Sequence, residues 1–296
     1  MESHFPRFAE YLKNKKKMAV NSVNAYLRDL REYAAFLEEK RTGAPTDATE
    51  ADVAAYLLKL KHENRAAATV NRKLASVRAF YKFMLTQRIM STNPAAEIKT
   101  PKIARKEIEY LTIGEVETLL DQPGKSVKGI RDAAILEALY ATGLRVSELI
   151  EMNVSDVNLR MGFVTCNGEH GKARIIPLGR PARAALESYI YEGRSKLLRG
   201  KSDSEQALFL NYYGERITRQ ALWKILKNYA TQAGVGKKIT PQILRNSFAV
   251  HMVQNGADLK SLQELLGHED LAATQIYLTV SKNRIKDVYD STHPRA

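Results

Sequence analysis

The chain has 296 residues, 44% of them hydrophobic, with 46 Lys and Arg against 33 Asp and Glu, a formal net charge of +13. That apolar fraction excludes a disordered chain, the length suits about two domains, and the positive excess favours a polyanionic partner, nucleic acid ahead of a membrane surface. A single cysteine, Cys166, excludes an internal disulfide and a cysteine-rich zinc site, and reads as the usage of a reduced, intracellular protein. No apolar stretch approaches the ~20 residues of a membrane span, and the start, Met1 through Arg7, lacks the apolar run of a signal peptide. The expected compartment is the cytoplasm, at the nucleoid if DNA is the partner.

Residues 1–90 read as wholly helical. Val20, Val23, Tyr26, Leu27, Leu30, Tyr33, Ala34 and Leu37 recur at helical spacing. Similar stripes run through Val53, Tyr56, Leu57 and Leu60, and through Val70, Leu74, Val77, Phe80, Tyr81 and Met84. Gly43, Pro45 and Asp47 mark a loop between the first two. The expectation is a small helical bundle. Residues 1–110 hold 21 basic and 13 acidic side chains, so the smaller domain carries more of the excess charge. Arg72, Lys73, Arg78 and Lys82, on the third stripe, are its candidate DNA-binding residues.

Residues 91–110, with two prolines and little periodicity, read as a linker, and residues 111–296 as a second domain. There Thr112 and Glu115 make a capping box, with Leu111 and Val116 as a hydrophobic staple. Helical patterns fill 113–121 and 130–141. Residues 161–178 break the pattern: two β-rich runs flank Asn167-Gly168 and Gly171, a hairpin or two strands of a small sheet. Cys166 sits in the first run as a small buried residue. Helices resume over 181–198 and 218–233, with the lone Trp223 expected in the core. Another starts at Thr240-Pro241. The next runs from Asp258 to Leu266, with Gly267 at its end. The fold class is mainly α with a small β-sheet: a helical N-terminal domain and an α+β second domain.

Three stretches could carry chemistry. In ATGLRVSEL, Arg145 lies at a junction between helices, where it either faces a site or simply pairs with Glu148. In TPQILRNSFAVH, Gln242 and Arg245 stand one helical turn apart, and Arg245 among apolar neighbours either snorkels or points into a cleft. In LLGHEDLAATQIY, His268 follows a helix-ending glycine and Tyr277 lies nine residues on. Two arginines, a histidine and a tyrosine suit phosphodiester chemistry. A tyrosine oxygen can attack phosphorus. Two guanidiniums can stabilise the charge that spreads over the non-bridging oxygens. The histidine can accept the tyrosine proton or hydrogen-bond a phosphate oxygen. Nothing in this scheme requires a metal.

ATGLRVSEL, LRNSFAVHMVQNGADLKSLQELLGHEDLAATQIY and the ending THPRA resemble the tyrosine recombinase (phage integrase) family, in its Xer-type branch. The resemblance covers nearly the whole chain. It implies a SAM-like, core-binding N-terminal domain and a catalytic domain that clamp duplex DNA from opposite faces, with four protomers, as a homo- or hetero-tetramer, synapsing two sites. Cleavage would leave a 3′-phosphotyrosine and a free 5′-hydroxyl, with the bond energy retained and no cofactor used. Position by position, Arg145 and Arg245 match the phosphate-clamping arginines, His268 the histidine of the LGH motif, Tyr277 the nucleophile and Glu148 the acidic support of the first arginine. The compact length favours chromosome- or plasmid-dimer resolution.

Two positions depart from the family pattern. The hairpin reads GEHGKARIIPL, so Glu169 stands where the family has its proton-donating lysine, while Lys172 and Arg174 match the later lysine and arginine. A glutamate with an ordinary pKa of about 4.3 is ionised at neutral pH and repels phosphate. Gln242 stands at a usual histidine and cannot exchange a proton. Asn246 also replaces a common histidine. In one reading the protein is an active recombinase, with Lys172 or His170 as substitute acid. In the other it is a DNA-binding paralogue of weakened catalysis, acting with an active Xer-type subunit. A type IB topoisomerase would share nucleophile and clamp. The tail KNRIKDVYDSTHPRA argues against it, since Ile285, Val288 and Tyr289 suit a short helix docking into a neighbouring protomer.

Overall fold

A computed structural model describes residues 4–40, 45–101, 107–168, 173–198, 205–237 and 239–278. The chain divides into two compact units, Met1–Lys106 and Glu107–Ala296. Among the described residues, no helix is long and apolar enough to cross a membrane.

The first unit is built from α1 (Phe5–Glu10), which runs on as a π-helical turn (Tyr11–Lys15), α2 (Val20–Glu39), α3 (Glu50–His62) and α4 (Ala67–Thr86). The apolar stripes face inward as their spacing requires: Leu30, Tyr33, Val53, Leu74 and Phe80 are fully buried. Phe8 meets Phe80 edge-on, ring centroids 5.4 Å apart, the arrangement that aromatic quadrupoles favour. Thr49 and Asp52 close a capping box at the start of α3.

The candidate DNA-binding cations of α4 meet different fates, and one expectation is corrected. Lys73 is only 4% exposed, its ammonium 2.5 Å from Glu32 and 3.6 Å from Asp29. It stands beside Leu74 on the inward face, so it is a buried ion-pair partner and is not free to meet a phosphate. Arg78 spends its guanidinium on the Ala95 and Ile98 carbonyls and the Thr100 hydroxyl. It thereby straps residues 95–100, read as linker, onto α4. Arg72 pairs with Asp29, yet its side chain remains 46% exposed. Lys82 is exposed. Asp29, 1% exposed, gathers Arg72, Lys73 and the Ser76 hydroxyl. Asp29→Ala is expected to lower unfolding free energy by about 1–3 kcal/mol, because it takes a buried acceptor from Arg72 and Ser76 and leaves the Lys73 ammonium with Glu32 alone. A urea titration checks this, and a loss within error would show that water or Glu32 already compensates Lys73.

The second unit places α6 (Val127–Thr142) at its centre, after α5 (Ile113–Leu120) and before α7 (Val146–Glu151). A three-stranded antiparallel sheet follows, β1 (Val157–Asn158), β2 (Phe163–Asn167) and β3 (Ala173–Pro177), in that order. The β2–β3 register runs from Phe163 opposite Pro177 to Asn167 opposite Ala173. The two long strands are the hairpin the sequence suggests, and β1, two residues long, is too short to show a period. Next come α8 (Arg180–Ser188), a π-helical turn (Tyr189–Arg194), α9 (Ser195–Leu198), α10 (Arg219–Gln232), α11 (Pro241–Gln254), α12 (Leu259–Leu266) and α13 (Ala272–Gln275). α6 packs against both α8 and α11. Ile135, Leu139, Leu149, Val164, Phe209 and Leu226 are fully enclosed in the main core. Cys166 is buried as expected, and burial pushes its thiol up to about 11.

The local signals fold as written. Thr112 and Glu115 form the capping box of α5. Thr240 caps α11, with Pro241 in its first turn. α6 and α12 end on Gly143 (φ 59°) and Gly267 (φ 63°) in the left-handed region, where a Cβ is disfavoured. Trp223 corrects an expectation: it is 41% exposed. α10 buries the face carrying Leu222, Ile225, Leu226 and Tyr229 instead.

Candidate active site

Helix ends assemble the site. The last carbonyls of an α-helix have no partner within it and carry the negative end of its dipole. At the ends of α6 and α12 arginines take them up. Arg245, on the second turn of α11 and 3% exposed, donates from Nη1 to the Gly143 carbonyl and from Nη2 to the Leu266 carbonyl at 2.7 Å. Arg145, at the N-cap of α7, donates from Nη2 to the Gly267 carbonyl at 3.1 Å. Arg245 is thus aimed into a polar junction and does not snorkel.

Glu148 fixes two further N–H forks. Its Oε1 accepts from Arg145 Nη1 at 2.9 Å and Arg174 Nη1 at 3.0 Å. Its Oε2 accepts from Arg174 Nη2 at 2.8 Å and the Arg145 backbone N–H at 2.7 Å. Burial alone would raise this carboxyl, but the Arg174 hydrogen bonds, the Arg145 amide and both charges hold it below the usual carboxylate range. The Arg145–Glu148 pair and an Arg145 facing the site are therefore one arrangement. Arg174 comes from β3, opposite Cys166 in register, and its Nε also donates to the Leu265 carbonyl at 2.8 Å. Sequence comparison matched Arg174 to a family arginine and gave it no role; its contact with Glu148 is long-range and leaves no local trace.

His268 sits between the cations. Arg245 Nη2 lies 3.0 Å from Nε2, and Thr274 Oγ1 lies 2.9 Å from Nδ1. Guanidinium can only donate, so Nε2 accepts and Nδ1 carries the proton, donated to Thr274. Burial first, then the charges of Arg245, Arg145 and Arg174, push the imidazole from its ordinary 6.5 down to about 4. It is neutral at pH 7, and its lone pair is already engaged. Burial and the neighbouring Arg145 also lower Arg245, to about 10, which leaves it protonated.

The His268 shift has a consequence for stability. The folded pKa lies below the unfolded one, so as pH falls from about 6.5 to about 4 the unfolded state binds the proton first. Stability falls across that window and is unaffected by His268 above it. His251, also held low by burial, adds its own share, so the readout is a difference. The wild type is expected to lose more melting temperature between those pH values than His268→Gln does. Parallel curves would show that His268 titrates normally.

Tyr277 follows α13. Its ring is 2% exposed, packed with Phe248, Leu262 and Leu266, while its hydroxyl donates to Asn246 Oδ1 at 3.2 Å. Burial raises the phenol, and Arg245 and Arg145 pull it the other way. Gln242, exposed on the first turn of α11, donates from Nε2 to the same Asn246 oxygen at 2.9 Å. The fold therefore joins Arg145, Glu148, Arg245 and His268 into one cluster, with Tyr277 and Gln242 meeting beside it on Asn246. Lys172, with Glu169 and His170, lies outside the described residues, as does the docking tail. A cavity of about 670 Å³ opens on the cluster, lined by Arg145, Arg174, His268, Lys260 and Gly168 among others. In that lining Arg145, Arg174 and Lys260 stand against Glu264 and Glu269, and with Glu148 and Arg245 of the adjoining cluster the cations keep a small excess, while the described contacts leave N–H groups of Arg145 and Arg245 uncommitted. Such a site suits a phosphate oxygen pair.

Comparison with known proteins gives the family. The profile of the phage integrase family matches residues 109–284, and that of the phage integrase N-terminal SAM-like domain matches residues 5–88. Tyrosine recombinase XerD of Oceanobacillus iheyensis is 44% identical over 290 residues, covering 98% of this chain and 97% of the relative. Tyrosine recombinase XerD of Listeria innocua is 43% identical, covering 98% of each. Among solved structures, the XerH site-specific recombinase bound to a palindromic difH substrate superposes with a TM-score of 0.72 at 20% identity, over 96% of this chain and 93% of that one. A lambda integrase dimer bound to a core site gives 0.72 at 18% identity, over 94% of each. Those two likenesses establish the fold. Matched through both of its units and along its full length, the chain belongs to the phage integrase family, as a site-specific tyrosine recombinase of the Xer type near XerD.

Proposed function

We propose that Tyr277 is the nucleophile of this recombinase and that Arg145, Arg245 and His268 hold the scissile phosphate of duplex DNA. The Tyr277 oxygen gives up its proton to water and bonds to phosphorus, the bond to the 5′-oxygen breaks, and that oxygen takes a proton from the general acid. A 3′-phosphotyrosine and a 5′-hydroxyl result, and attack by the partner strand's 5′-hydroxyl reverses the step. The free N–H groups of Arg145 and Arg245 bind the non-bridging oxygens, whose charge grows in the transition state. Glu148 and Arg174 set the angle of Arg145. His268 keeps Arg245 in plane, and donates to phosphate only after giving up its present partners. Lys172 is the proposed proton donor: Gly168 and Ala173, the described ends of its segment, both line the cavity.

The observation that carries this reading is the grip of Arg245 on His268 and on the Gly143 and Leu266 carbonyls, three donations from one buried guanidinium. It costs burial of a charge and leaves a rigid cationic group whose imidazole partner, His268, stands nine residues before Tyr277. The biological role that fits is dimer resolution in the cytoplasm, at the nucleoid, by a tetramer on two synapsed sites, composed of this chain alone or with a second Xer-type subunit. Of the four candidate cations on α4, Arg72 and Lys82 keep exposed side chains and are the ones proposed to meet DNA.

The test is a nicked suicide duplex bearing the recombination site, followed on a denaturing gel. A protein–DNA band is expected. A clean gel shift with no band at any protein level would instead favour the DNA-binding paralogue.

A further inference from the structure

We propose that Asn246 is a positioning residue that parks the Tyr277 hydroxyl until DNA is engaged. This rests on Tyr277 being the nucleophile. Three segments meet on the Asn246 carboxamide. Oδ1 accepts from Tyr277 Oη at 3.2 Å and from Gln242 Nε2 at 2.9 Å. Nδ2 donates to the Glu109 carbonyl at 3.0 Å. The partners fix the amide's orientation: a carbonyl can only accept, so Nδ2 must face Glu109 and Oδ1 must face the two donors. Next to it, Ser247 Oγ accepts the Leu111 N–H at 2.8 Å and donates to the Ile243 carbonyl at 2.8 Å. Asn246 and Ser247 thus pin residues 109–111 to α11, and Asn246 pins the tyrosine to the same place.

The parked geometry keeps the nucleophile quiet. The phenol proton points at an amide oxygen, which is no base at neutral pH. The lone pair of His268 Nε2 belongs to Arg245. The ring is enclosed with Phe248 and Leu266. Attack therefore requires the hydroxyl to exchange Asn246 for the scissile phosphate, so an oxygen that is correctly held is also one that does not react with a stray phosphate. Where a histidine would titrate, asparagine holds the same contacts at every pH.

The experiment uses the full chain with isotope-labelled tyrosine Cζ, the Tyr277 resonance being the one missing in Tyr277→Phe. A hydrogen bond donated by the neutral phenol favours the neutral form, and a carboxylate beside it favours that form further. Asn246→Ala is expected to lower the pH at which Tyr277 ionises, and Asn246→Asp to raise it. A general loss of packing would move both variants alike, so displacements of opposite sign identify the contact. In single-turnover attachment to the nicked duplex, Asn246→Ala should react about fivefold faster, the worth of one ordinary hydrogen bond, and Asn246→Asp slower than wild type. Tyr277 titrations that stay put or move together overturn the contact. Opposite displacements with equal attachment rates overturn the parking role. Failure of wild type to attach to DNA at all would strike the proposed function, and the titrations would still decide whether Asn246 holds the phenol.

Discussion

Tyr277→Phe is expected to abolish the covalent protein–DNA band while leaving the protein folded and able to shift DNA. The ring stays in its pocket among Phe248, Leu262 and Leu266, so no cavity opens. What disappears is one hydroxyl and its bond to Asn246. Asn246 Oδ1 keeps the Gln242 N–H, so no buried acceptor is orphaned, and the stability loss should be about 1 kcal/mol or less. Catalysis loses its attacking atom, and no partial activity can come from a phenyl ring. A residual band of unchanged mobility and yield would mean another nucleophile acts. A loss of folding as large as the loss of attachment would mean Tyr277 is a packing residue.

Arg245→Ala carries the second large effect, and it strikes both stability and chemistry. The guanidinium satisfies the Gly143 and Leu266 carbonyls and the His268 Nε2 from a site 3% exposed. Its removal leaves acceptors buried without donors, each costing about 1–3 kcal/mol, so a substantial fall in the urea midpoint is expected. Where the variant remains folded, attachment to the nicked duplex should fall by about 100- to 1000-fold, the usual cost of one transition-state donor. Arg245→Lys separates charge from geometry. One ammonium cannot span two helix ends and an imidazole, so lysine should restore little. Near-wild-type attachment with lysine would show that charge alone suffices and that the planar fork is irrelevant.

Much of this fold was legible because its signals are short. The Thr112–Glu115 box, the Thr240 cap and the glycines that end α6 and α12 act within one helical turn, and the apolar stripes of α2, α3 and α4 repeat at the helix's own period. The site was legible as a set of residue types, because Arg145, Arg245, His268 and Tyr277 stand in short, distinctive strings. Their partners were not. Whether Lys73 faces DNA or Asp29 depends on which side of α4 the bundle covers. Trp223 is exposed because α10 turns Leu222 and Leu226 inward.

The sequence by itself determined the family, the helices with their caps, and the kinds of group proposed to meet the phosphate. Tertiary structure alone decided that Glu148 is held by Arg174 from a strand 26 residues away, that Arg245 closes the ends of two helices, and that the Tyr277 hydroxyl rests on Asn246. A cap or an apolar stripe is an energy difference among neighbours along the chain. A guanidinium's choice among carbonyls and carboxylates is settled only when folding has buried them together and removed the water that would otherwise satisfy each one separately.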